Sequence, residues 1–358
     1  MPSANKSMMA CVLYGAHDIR LERRERPVPK EGMVLLRVLR VGICGSDLHY
    51  FEYGRCGAFV PGKPFILGHE VVGIVEEAAE DVRSPSVGSR VAVNPARSCG
   101  VCHYCRQGRG NLCRSTVMLG SASTNPPTDG AFADFVLVKA EQCHALPPEF
   151  DDGLGAMLEP FAVALHAVKR AGTVSGQRVL VTGGGPIGLL VVITSIAFGA
   201  SLVMLSDPVA ERRQTAAKFG VGGVIDPTEE GVVDSVRRKV DDGFDVIFEA
   251  SGASPALRQA FGFVRPGGKI VQIGTLSADD IPLPANQIMS REIQYLGSFR
   301  YGDVFDEAIR LIVSGRVELR PLITAVWPLL RIEDAFRSAM SKNGAIKVQV
   351  EASGGSQL

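Results

Sequence analysis

Arg178-Val179-Leu180-Val181-Thr182-Gly183-Gly184-Gly185-Pro186-Ile187-Gly188 decides the architecture of this 358-residue chain. Its opening is an apolar run of the kind a strand shows when both of its faces are buried. Glycines at 183, 185 and 188 follow as G-x-G-x-x-G, and residues 189–198 then read as a helix. Between a strand and a helix this pattern marks a dinucleotide site, which it does not do in isolation. Gly183 allows the tight turn, Gly185 lets a pyrophosphate reach the backbone, and Gly188 lets helix pack on strand. The helix that opens at Pro186, itself without an N–H, offers unpaired N–H groups from Ile187 onward to phosphate oxygens. A second strand, residues 202–206, ends in Asp207, nineteen residues after Gly188. A carboxylate there accepts hydrogen bonds from ribose hydroxyls and repels a 2′-phosphate by about 4 kcal/mol per unit charge at 4 Å and an effective dielectric of 20. NAD is therefore expected over NADP. Arg212 and Arg213 pack on the adenine, partly rescue a 2′-phosphate, or are plain exposed helix charges.

Downstream, helix and strand patterns alternate through residues 211–219, 222–225, 232–240, 244–250, 256–264 and 269–274. That alternation predicts a doubly wound parallel sheet. The strand at 244–250 should end near the nicotinamide, because ligands sit at strand carboxyl ends. Upstream the texture changes between Asp151 and Gly172. Residues 161–168 predict a helix with Pro160 in its first turn. Glu159 beside it is a candidate site acid, or a helix-start charge favoured by the macrodipole. Before that point, short strands at short intervals (9–14, 19–23, 34–41, 71–76, 87–93) predict a β-rich, barrel-like module.

Two sets of metal-type residues lie in that module. Cys44-Gly45-Ser46-Asp47-Leu48-His49 falls just past a strand, and Gly68-His69-Glu70 just before one. Thiolate and imidazole suit zinc, and catalytic zinc sites keep three protein ligands and one open position. Cys44, His69 and a carboxylate from Glu70 or Glu159 make such a set. Either Cys44 or His69 alone reads better as a core residue. The second set is Cys99, Cys102, Cys105 and Cys113, separated by two, two and seven residues. Four thiolates at this spacing close a tetrahedral shell with no vacancy, which is a structural site. A nucleic-acid knuckle would use Arg97, Arg106, Arg109 and Arg114, but Tyr104 is the one aromatic beside them. An iron–sulfur site is the other competing reading. Cys11, Cys56 and Cys143 are isolated and read as idle thiols.

Lys plus Arg and Asp plus Glu number 38 each, so no overall field draws nucleic acid or anionic membrane. No twenty-residue apolar stretch predicts a membrane span, and residues 1–10 lack the order of a signal peptide. A cytoplasmic protein is expected, in which eight cysteines point to metal rather than disulfides. Residues 353–358 read as a loose tail.

Taken together, the chain resembles the zinc-containing medium-chain dehydrogenase/reductase family along nearly its whole length. The resemblance is carried by Ile43-Cys44-Gly45-Ser46-Asp47-Leu48-His49-Tyr50, Leu67-Gly68-His69-Glu70, Asn94-Pro95, Gly120-Ser121-Ala122, Leu158-Glu159-Pro160 and Gly297-Ser298-Phe299-Arg300-Tyr301. It implies an α/β protein with a GroES-like catalytic domain at residues 1–160 and 294–358, including a structural zinc lobe at 94–115. A Rossmann coenzyme domain would occupy 161–293. It implies two zinc ions, one on Cys44 and His69 with Glu70 completing the shell or alternating with Glu159, and one on the four cysteines. Ser46 and His49 resemble a proton relay, and Glu159 offers a second route. Tyr50, Arg300 and Tyr301 would meet the substrate, the guanidinium suiting a sugar-acid carboxylate. Nearest are members that act on L-idonate, giving 5-keto-D-gluconate, and next those acting on sorbitol and related polyols such as xylitol and galactitol. A homotetramer with a small-molecule substrate is implied. A dinucleotide-binding zinc protein without catalysis is the remaining alternative.

Overall fold

The computed structural model describes residues 7–276, 280–341 and 344–352, so the tail expected at 353–358 lies outside the described residues. The chain divides into two units. One comprises Met1–Glu159, Phe305–Ile309 and Leu319–Leu358, the other Pro160–Val304 and Arg310–Glu318. Among the described residues no helix is long and apolar enough to cross a membrane.

The first unit is β-rich. Ser7–Gly15 pairs antiparallel with Asp18–Glu25 and with Phe65–Ile66. A seven-stranded sheet runs Cys143–Ala145, Arg90–Val93, Glu70–Ala78, Met33–Gly42, Lys347–Glu351, Ile323–Pro328, with Phe135–Lys139 also paired to Met33–Gly42. Met33–Gly42 reads Met-Val-Leu-Leu-Arg-Val-Leu-Arg-Val-Gly, and its aliphatic side chains enter one core with Phe65, Phe132 and Phe336. Two registers matter for function: Gly42 stands opposite Glu70 on one side and opposite Gln349 on the other. Lys347–Glu351, the last strand among the described residues, is thereby placed beside the residues that flank Cys44 and His69.

The second unit holds the parallel sheet, in the order Gly223–Ile225, Leu202–Ser206, Arg178–Thr182, Phe244–Glu249, Val264–Gln272, Gln294–Gly297. This is the doubly wound order, with the first strand central and the chain reversing beside it. Helix Pro186–Ala197 is apolar all round and buried from Gly188 to Ser195, as a helix packed within a core must be.

Two expectations shift. Gln294–Gly297 is the sixth strand of this sheet, pairing parallel with Val264–Gln272, so the boundary expected at 293/294 moves to Val304/Phe305. Its partner strand, not its own half-exposed pattern, decides that placement. The helix expected at 161–168 runs instead over Asp152–Ala171, with Pro160 inside it. An internal proline costs about 3 kcal/mol. Leu158 and Phe161, both fully buried, offset that at about 1.5–3 kcal/mol each.

Candidate metal and dinucleotide sites

Cys44 caps the helix Gly45–Tyr53, and the strand before it delivers its sulfur to His69 and Glu70. The ligand atoms of Cys44, His69 and Glu70 lie within 4.8 Å of one another. Asp47, fully buried, organises them. Its carboxylate accepts the Cys44 N–H at 3.0 Å and the Gly68 N–H at 3.3 Å, and it lies 3.6 Å from His69 Nδ1. A carboxylate on one ring nitrogen turns the other toward a metal, as in other histidine metal sites. Burial opposes a charge on His69, but Asp47 and then Cys44 outweigh it and raise the imidazole pKa well above its ordinary value. One thiolate, one imidazole and one carboxylate in this arrangement fit a borderline-soft divalent ion such as zinc.

Sequence reasoning missed the group that holds Glu70. Lys347 Nζ donates to Glu70 Oε1 at 2.7 Å, to Oε2 at 2.8 Å and to the Ile43 carbonyl at 3.1 Å. Burial works against the ammonium, yet Glu70 and then Cys44 raise its pKa. No local pattern announces this lysine, because its partner is 277 residues away. Asp47 had a signal: an acid three residues after a helix-capping position. Glu159 is buried on Asp152–Ala171 and acts electrostatically on Lys347, but is not in the 4.8 Å set. Ser46 is half-buried and His49 exposed, one helical turn apart. Tyr50, expected at the substrate, is 2% exposed, and its hydroxyl accepts the Ala122 N–H at 3.0 Å. That hydroxyl braces the loop at 120–123 because the ring is packed edge-on against Phe65.

Cys99, Cys102, Cys105 and Cys113 also lie within 4.8 Å of one another, all as free thiols. Backbone N–H groups of Cys99, Cys102 and Ser115 point at the sulfurs of Cys113, Cys99 and Cys113. The Cys99 N–H in particular helps draw the Cys113 thiol down to about 6. Such donors favour thiolates, and four thiolates fit a closed zinc shell.

In the other unit, Gly183 has φ +98° and no room for a side chain beside Ser251, while Gly188 sits on the Gly183 carbonyl. Nothing lies within 4 Å of where a Gly185 Cβ would stand, which leaves a gap open to a pyrophosphate. Pro186 and Ile187 open the helix behind it. Asp207, 2% exposed, accepts the Gly184 N–H at 2.7 Å and the Val209 N–H at 2.8 Å. Arg212 stands 3.6 Å from Asp207, while Arg213 pairs with Asp226 at 2.8 Å. Arg300 lies over the Phe299 ring at 4.9 Å with φ +52°, and Tyr301 is buried. Beside them the Gly302 N–H donates to His166 Nδ1 at 3.3 Å.

Comparison with known proteins agrees with this arrangement. Residues 30–148 match the alcohol dehydrogenase GroES-like domain, and residues 186–314 the zinc-binding dehydrogenase domain. Sorbitol dehydrogenase of Bacillus subtilis is 36% identical, over 96% of this chain and 97% of its own. L-Idonate 5-dehydrogenase of Escherichia coli superposes with a TM-score of 0.90 at 32% identity, covering 96% of this chain and 98% of that one. A zinc-binding dehydrogenase of Sinorhizobium meliloti, solved with NADP, gives 0.89 at 33%, covering 96% and 99%. With both domain types, both sets of metal-type residues and the glycine turn in place, the chain belongs to the zinc-containing medium-chain dehydrogenase/reductase family, among polyol and sugar-alcohol dehydrogenases.

Proposed function

We propose that this protein oxidises a secondary alcohol of a sugar acid, with L-idonate giving 5-keto-D-gluconate as the type reaction, using NAD. The observation that carries the reading is the set of half-buried Cys44 with buried His69 and Glu70, held by Asp47 and Lys347. Cys44, His69 and Glu70 hold the catalytic zinc, and the four cysteines hold a second, structural one. Bound zinc supplies Lewis acidity toward the alcohol oxygen, and NAD the hydride acceptor. Asp47 keeps His69 in the metal-binding tautomer. Ser46 and His49 carry the alcohol proton outward, and Glu159 offers a second acceptor. Gly183, Gly185, Pro186, Ile187 and Gly188 receive the pyrophosphate, and Asp207 with Arg212 receives the adenosine end. Arg300 meets the substrate carboxylate, with Tyr301 behind it. The reading carries with it a cytoplasmic homotetramer.

The likeness to L-idonate 5-dehydrogenase supports a sugar acid. The likeness to sorbitol dehydrogenase favours a second reading, a neutral polyol such as sorbitol, xylitol or galactitol, with the same chemistry. Initial rates with L-idonate, D-gluconate, sorbitol, xylitol and galactitol, each with NAD and NADP, separate the two, alongside a metal count. Two zincs per chain and turnover confined to L-idonate with NAD are expected. Arg300→Ala should raise KM for L-idonate at least tenfold and leave sorbitol nearly unchanged. Equal effects on both substrates remove the carboxylate argument, and absence of any turnover removes the enzyme reading.

A further inference from the structure

The Lys347–Glu70 pair is more than a buried ion pair. An ammonium has three N–H donors, and here all three are used, two on Glu70 and one on the Ile43 carbonyl that precedes Cys44. Lys347 is 2% exposed and Glu70 1%, so solvent shares neither charge. Gly42 leaves the space that the carboxylate fills: a Cβ there would stand 1.9 Å from Glu70 Oε2. Glu70 is thus confined between a bare backbone and a cation while one of its oxygens faces Cys44 and His69. Replacing a buried ion pair by apolar residues is often neutral or stabilising, so stability is a weak account of this one.

We propose that Lys347 is a positioning residue that shares the Glu70 carboxylate with the metal, keeping the metal weakly held on that side and one coordination position exchangeable. The inference rests on the metal reading above. Two effects act in the same direction. The ammonium draws charge from both carboxylate oxygens, which weakens Glu70 as a donor. It also places a positive charge near a divalent cation in a poorly screened interior. Removing the charge alone must therefore tighten metal binding, whereas merely loosening the fold would weaken it. The sign separates a positioning role from a structural one.

The test is zinc release from the purified holoprotein to excess chelator, with the four-cysteine lobe as internal reference. Lys347→Met should slow release from the Cys44 site at least tenfold and lower kcat at least tenfold, with KM for NAD unchanged. Lys347→Arg, which restores the charge, should return both to within about threefold of wild type. In Co(II)-substituted protein the visible spectrum should differ between wild type and Lys347→Met. Release as fast as wild type, or faster, from a folded Lys347→Met protein overturns the proposal. If that variant does not fold, Glu70→Gln is compared with Glu70→Gln/Lys347→Met. Slower release from the double variant supports the proposal, because the single one leaves an unpaired ammonium beside the metal; equal rates overturn it. A wild-type protein with zinc in the cysteine lobe alone removes the metal reading and this inference together, and the metal count tells that case apart.

Discussion

Adding one methyl group at Gly188 tests the glycine turn most directly. A Cβ at this position would stand 1.8 Å from the Gly183 carbonyl oxygen and 2.9 Å from its carbon. A carbon and a carbonyl oxygen need about 3.3 Å, so the turn must open by about 1.5 Å. Both neighbours are backbone, and no rotamer change relieves the contact. The turn is also tied down, by the Gly183 N–H on the Ser206 carbonyl at 2.8 Å and the Gly184 N–H on Asp207 at 2.7 Å. Overpacking of this kind costs about 1–3 kcal/mol of stability. A displacement of about 1 Å at a positioned site costs about a hundredfold in function, or 2.7 kcal/mol at 1.36 per tenfold. Gly188→Ala should therefore weaken NADH binding about a hundredfold. At about 2–4 °C per kcal/mol it should also lower Tm by several degrees. NADH fluorescence titration and thermal unfolding read the two effects, and zinc content in the first unit should not change. A Kd within threefold of wild type would refute the reasoning, because it would show that the turn accommodates a side chain the geometry excludes.

Gly42→Ala pushes against Glu70 and breaks its contact with Lys347; disrupting a buried pair costs about 3–5 kcal/mol, so thermal unfolding should show a large loss of stability together with lost turnover. Asp207→Asn keeps an acceptor for the Gly184 N–H and removes the charge, so the ratio of kcat/KM for NAD over NADP should fall at least tenfold in initial-rate measurements. An unchanged ratio would mean that another group sets coenzyme choice. His166 is held down at about 4 by burial, and then by Arg170 and Lys169, from the ordinary 6.5. As pH falls below 6.5 the unfolded chain takes up this proton first, so stability present above 6.5 is lost progressively toward pH 4. His166→Gln retains an acceptor for Gly302 and should flatten that slope, measured by urea unfolding at pH 7 and pH 5.

The sequence by itself determined what depends on chain neighbours. Strand, glycine turn and helix follow one another within residues 178–198, so the dinucleotide fold is legible from period and spacing. The four cysteines lie within fifteen residues, so a metal-type thiol cluster is legible from that spacing alone. Cys44 and His69 stood out because each sits at a strand end beside residues of matching chemistry. Other features were decided only when distant segments met. The register that sets Gln349 opposite Gly42 brings Lys347 onto Glu70, and the one that sets Gly42 opposite Glu70 brings that carboxylate, next to His69 in the chain, into the set with Cys44. Pairing with Val264–Gln272 makes Gln294–Gly297 a strand of the coenzyme unit, although its own half-exposed pattern does not call for it. Burial of Leu158 and Phe161 carries a helix through Pro160 against its local preference. Backbone propensity and ligand spacing act over a few residues, whereas a buried charge takes its partner from whichever strand the sheet brings alongside, and only the folded chain makes that choice.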